Sequence, residues 1–126
     1  AASPLQAVAL DTLVQALIAQ EQDSRAVQSA RYGLSRFQKA ADRRQEAIAW
    51  DTVAHALMAK EDFDEALEAA MQGLAVCQEL GDCEWEAHLS LTVCQARLRL
   101  KQHKEALRAA WDAVALSYAA EDALEH

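Results

Sequence analysis

Breakers of regular structure are nearly missing from this chain, which holds one proline and three glycines in 126 residues. Ala, Leu, Glu and Gln are abundant instead, and these strong helix formers point to an all-α fold. Also missing is any apolar run long enough to cross a bilayer, so no membrane segment is expected. The opening Ala1-Ala2-Ser3-Pro4 has no basic stretch leading into an apolar one, so no secretory signal is visible. Basic charge is scarce: 12 Lys and Arg face 20 Asp and Glu, a net charge of −8. That argues against a nucleic-acid binder, which needs a basic face to neutralise phosphates. Cysteines number only three, Cys77, Cys83 and Cys94, with no CxxC pair. No disulfide framework is expected, and reduced thiols in a cytoplasmic, reducing compartment follow.

Repetition is what the chain does have. A shift of forty residues lays it out in three rows, 3–42, 43–82 and 83–122. Six columns keep one residue type throughout: Ala7/Ala47/Ala87, Thr12/Thr52/Thr92, Ala16/Ala56/Ala96, Ala26/Ala66/Ala106, Ala30/Ala70/Ala110 and Asp42/Asp82/Asp122. Alanine coincidences are cheap in an Ala-rich chain, but the Thr and Asp columns keep the same register. We read residues 3–122 as one domain. Leu124-Glu125-His126 resembles the beginning of an appended histidine tag, so 123–126 are expected to be a tag remnant.

Each row predicts two helices, six in all, with apolar residues at a 3.6-residue period. The first ends near Gln20, Lys60 or Lys101; the second begins near Ser24, Asp64 or Lys104 and ends near Ala40, Leu80 or Ala120. Ser3-Pro4-Leu5-Gln6 carries a capping Ser, Pro at the first helical place and Gln three residues after the cap. Asp42 and Asp82 stand where helices begin, and Gly81 suits a left-handed helix end. Small side chains at Ala26, Ala66 and Ala106 allow close helix approach. Trp50 and Trp111 fall in apolar stripes and are expected in the core or between repeats, whereas Trp85 is expected to be partly exposed.

The second row resembles a tetratricopeptide repeat (TPR), with the pattern W-x2-L-G-x2-Y, then A-x3-F, then P. Trp50, Val53, Ala54, Leu57, Ala66 and Ala70 stand in its slots, and Ala59 to Glu68 resembles the family's turn and second-helix start. The first row fills the slots with Leu10, Leu13, Val14, Leu17, Ala26 and Ala30, the third with Ser90, Val93, Cys94, Arg97, Ala106 and Ala110. The period exceeds the usual 34 residues, as in kinesin light chains, the second-helix Phe is Ala in every row, and the closing Pro is missing. Arg97 in an aromatic slot must reach solvent or a carboxylate. The resemblance implies an α-α superhelix of three antiparallel hairpins with a concave surface lined by first helices.

By the same resemblance, groove-facing slots fall on Val8, Asp11, Gln15 and Ile18; on Ile48, Asp51, His55 and Met58; and on His88, Leu91, Gln95 and Leu98, with Arg99 beside them. Spacing agrees, since Asp11 and Gln15, Asp51 and His55, and Leu91 and Gln95 are i, i+4 pairs. The peptide-binding site is therefore expected at Asp11, Gln15, Asp51, His55, His88, Leu91, Gln95 and Arg99. Family members that grip a C-terminal carboxylate use Lys and Asn in these slots. Asp11 and Asp51 exclude that ligand and favour a protein or peptide partner with basic or amide-donor side chains.

Catalysis is not expected. Asp51 could orient His55 as a base, but no Ser or Cys is placed as nucleophile and no Gly-rich loop cradles a phosphate. Cys77, Cys83 and His88 have zinc-binding atoms without a zinc spacing, so neither metal nor cofactor is expected. The chain reads as an interaction module or scaffold within a larger protein. The alternative is a self-assembly element, because no capping helix follows the third row. Leu107, Val114, Leu116 and Tyr118 would then support a homodimer by end stacking or helix exchange.

Overall fold

The computed structural model describes residues 4–125. Among them six helices follow one another: α1 (Leu5–Ala19), α2 (Asp23–Lys39), α3 (Arg43–Ala59), α4 (Phe63–Leu80), α5 (Cys83–Arg99) and α6 (His103–Glu125). Ser3, expected to cap α1, lies outside the described residues. The expected first-helix ends fall within two residues of those observed. The last helix instead passes Ala120 and Asp122 to Glu125, because Ala123 and Leu124 sustain a helix and no Gly or Pro interrupts it.

All five turns close in one way. Glu21, Ala41, Glu61, Gly81 and Lys101 take left-handed φ values between 54° and 67°, twenty residues apart. The next residue's N–H reaches back to a carbonyl five residues earlier, as in Gln22 to Leu17 (2.9 Å) and Asp62 to Leu57 (2.9 Å). This is the Schellman closure of a helix end. Only one of the five is glycine, so the other four bear the left-handed penalty of roughly 1–2 kcal/mol. The residue after each left-handed one immediately precedes the following helix. The Asp42 and Asp82 carboxylates accept from the N–H groups of Gln45 and Trp85, at 3.2 and 3.1 Å.

Each odd-numbered helix packs antiparallel on the even-numbered one after it, and α1 touches α3 as α3 touches α5. The backbones of α2 and α4, and of α4 and α6, stay apart among the described residues. The array therefore curves, with α1, α3 and α5 on its concave side. Ala26, Ala66 and Ala106 are buried where hairpin helices meet, and Ile48, Leu57 and Leu89 are the largest fully buried side chains. Burying each of these contributes about 1.5–3 kcal/mol.

One expectation needs correcting. Trp111 is not core but 65% exposed on α6, in the column where Arg31 and Met71 are exposed too. Arg97 is half-buried, and its guanidinium donates to the Gln102 side-chain carbonyl at 2.7 Å. Between rows one and two, Arg31 pairs with Glu65 at 3.3 Å. Both partners are more than half exposed, so the pair contributes at most about 1 kcal/mol.

Candidate functional site

A concave cavity of about 410 Å³ lies across α1 and α3, with Trp85 of α5 as one wall. From α1 come Val8, Asp11, Gln15 and Ile18, which recur at helical spacing on one face. From α3 come Ile48, Asp51, Thr52, His55 and Ala59. The structure thus brings Asp11, Gln15, Asp51 and His55 together in one site. His88 and Leu91 line a separate, more apolar hollow of about 330 Å³ between α5 and α6. Gln95 is exposed and lines neither. The Arg99 guanidinium stands 5.0 Å over the Phe63 ring, a cation–π contact tying the end of α5 to the start of α4.

The two carboxylates hold the repeats together as well as facing the groove. Thr52 donates its hydroxyl to Asp11 Oδ1 at 3.1 Å, and Thr92 donates to Asp51 Oδ1 at 2.6 Å. Each bond runs from one row's Thr to the preceding row's Asp, forty-one residues away. Thr52 and Thr92 are accordingly buried, while Thr12 is exposed and donates to the Val8 carbonyl. The third row has Leu91 in the Asp column. The second oxygen of Asp11 accepts from Gln15 Nε2 at 2.6 Å. That of Asp51 faces His55 Nε2 at 3.4 Å.

Asp51 raises the His55 pKa above its ordinary 6.5 by hydrogen bonding to the imidazolium. Partial burial opposes this, and the charges of Asp51 and Asp11 reinforce it. A raised folded-state value means the pairing is fully stabilising below about pH 6.5 and is lost as pH rises through that value. Wild type should therefore lose stability relative to His55→Ala as pH rises from below 6.5 to above the raised folded-state value. Denaturant titrations at both ends read this directly, and a pH-independent difference would refute it.

The sequence reading missed Thr52, Ala59 and Trp85 as groove residues. The invariant Thr column was the available signal for the first. Trp85 leans over His88, ring centroids 4.6 Å apart, and this places its indole at the groove. Among the described residues no cluster of three or more His, Cys, Asp or Glu could hold a metal. Cys77 is fully buried, and burial pushes its thiol up to about 12, so it stays protonated at neutral pH.

No family model and no curated protein matches the chain. Solved structures do. The TPR domain of Arabidopsis FLU superposes with a TM-score of 0.77 at 13% identity, over 88% of this chain and 93% of that one. The nearly identical TPR-like repeats of a putative kinesin light chain from Podospora anserina superpose with a TM-score of 0.80 at 17% identity. That match covers 94% of this chain and 58% of that one. The fold is that of tetratricopeptide repeats. Within the TPR superhelix the cavity occupies the concave face of the first two hairpins, against the start of the third. No helix among the described residues is long and apolar enough to cross a membrane.

Proposed function

We propose that this TPR superhelix is a protein–protein interaction module that holds an extended peptide or a partner helix in its concave groove. One observation carries the reading: a single cavity combines apolar walls from Val8, Ile18 and Trp85 with the polar Asp11, Gln15, Asp51 and His55. Apolar contact supplies affinity in such grooves, and a few placed polar groups set register. Asp11 and Asp51 each retain acceptor capacity beyond the bonds they make, since a carboxylate offers about four lone-pair sites. The bound segment is therefore one with Lys, Arg, Asn or Gln at the positions facing α1 and α3. The net charge of −8 steers such a partner inward.

Selection of random peptides on the immobilised chain tests the proposal. Enriched sequences should carry these donors between apolar residues. Val8→Arg, which places a cation on the groove wall, should weaken them roughly tenfold or more. Tyr32→Arg, on an exposed side chain outside the groove, should leave them unchanged. No enrichment above background, or equal affinity after Val8→Arg, would remove the groove from consideration.

A further inference from the structure

One apolar surface is left unused by the groove. On α6, Leu107, Trp111, Val114 and Tyr118 are exposed by 61, 65, 44 and 63%. Their spacing of four, three and four residues makes one straight stripe, of the kind that seats a second helix. It is distinct from the face of α6 that buries Ala106, Ala109 and Ala113, with Val114 bordering the hollow between α5 and α6.

A further repeat of the same solenoid does not account for this stripe. Such a repeat would cover Leu107 and Val114, as the following rows bury Val27 and Leu34. The places of Trp111 and Tyr118, however, hold Arg31 and Gln38 in the first row and Met71 and Gln78 in the second. All four of these are exposed even where a repeat follows. Two aromatic side chains thus stand where continued stacking leaves solvent, and aromatic residues are enriched where proteins meet.

Charge identifies the occupant. Continuing the stripe by its own spacing reaches Lys104 at one end and Glu121 at the other, both exposed. Against an antiparallel copy of α6, Lys104 meets Glu121 twice, Leu107 meets Tyr118, and Trp111 meets Val114. Every place pairs with its complement. In a parallel arrangement Lys104 would meet Lys104 and Glu121 would meet Glu121, which is repulsive.

We propose that two copies of the chain associate through α6, antiparallel about a two-fold axis, with Trp111 and Val114 at the centre and Lys104–Glu121 pairs at both ends. The pairing is closed, so it ends at a dimer. It leaves the concave groove free on each copy.

Sedimentation equilibrium across the micromolar range, on the whole chain, tests this. Wild type should give a monomer–dimer equilibrium with no larger species. Trp111→Asp should raise the dimer dissociation constant roughly thirtyfold or more, as loss of a central aromatic does at interfaces. Lys104→Glu alone and Glu121→Lys alone should each associate poorly with themselves. Their equimolar mixture should recover the dimer, because every end pair is then of opposite sign. Both changes are on exposed side chains, and circular dichroism confirms that the helices persist. A chain monomeric throughout would overturn the proposal, as would open-ended growth or a mixture no stronger than its components. So would a dimer abolished by Leu13→Asp, at the other end of the array, and untouched by Trp111→Asp, which would reveal head-to-tail stacking.

Discussion

Replacing Gly73 by alanine is expected to destabilise the protein by about 1–3 kcal/mol, although alanine is the better helix former. A Cβ there would lie 2.8 Å from Trp50 Cβ and 3.0–3.1 Å from the Leu89 methyl carbons. Trp50 Cβ is bonded directly to the backbone of α3 and cannot rotate away, so α3 and α4 would have to separate. Leu89 is fully buried and has nowhere to retreat. Gly33, one row earlier, provides the contrast. Its added Cβ would clash with Leu10 Cδ2, the tip of a rotatable side chain beside an open hollow of about 490 Å³. Leu10 can swing aside, so Gly33→Ala should lie near zero, its clash offset by a helix-propensity gain of roughly 0.5–1 kcal/mol. Trp50→Gly, which removes the opposing Cβ, should accordingly reduce the cost of Gly73→Ala. Denaturant unfolding of the four variants decides it, and equal losses at Gly33 and Gly73 would refute the steric account.

The second large effect is expected at Asp51. Its side chain is only 14% exposed and holds the Thr92 hydroxyl at 2.6 Å across the joint between rows two and three. Hydrogen bonds to a charged group contribute about 1.5–3 kcal/mol. Asp51→Ala should cost about 2 kcal/mol, with Asp51→Asn costing less because an acceptor oxygen remains. The loss should largely vanish when Thr92 is already valine, since the partner is then gone. Leu91→Asp restores the carboxylate column in the third row but has no threonine to receive, so it should add no stability. A double-mutant cycle at Asp51 and Thr92 that came out additive would show that the bond does not hold the repeats together.

That second effect bears on how the groove residues are understood. Asp11 and Asp51 were legible as groove residues from their slots, yet the sequence offers no sign that each also binds the next repeat. The partner lies forty-one residues away, and only the superhelical stacking of α1 on α3 on α5 brings Thr52 and Thr92 within bonding distance. Reversing those charges would loosen the array as well as the groove, which is why Val8 makes the cleaner test of binding. Of the third-row residues expected at the groove, His88 and Leu91 line the hollow between α5 and α6, and only Trp85 of α5 reaches the cavity shared by α1 and α3.

The turns teach a similar lesson. Gly81 announced its left-handed conformation, but Glu21, Ala41, Glu61 and Lys101 adopt the same one with ordinary side chains. Packing of the flanking helices imposes that geometry against local preference, so no residue signal marks it. Their even spacing of twenty residues becomes visible only once the helices are placed.

What the sequence by itself determined is the set of helices and their repetition. Composition supplies the helical bias, the 3.6-residue apolar period supplies the packing faces, and the forty-residue register makes each hairpin equivalent to the next. These are local or nearly local properties, encoded within about twenty residues of where they act. Tertiary structure alone decided which face closes on another and which stays open: that Asp51 meets Thr92, that Trp85 walls the groove, and that Trp111 stands in solvent on α6. Contacts between residues forty apart depend on the rotation from one hairpin to the next. That rotation is set by the side chains packed between hairpins, among them Leu89 of α5 against Gly73 of α4.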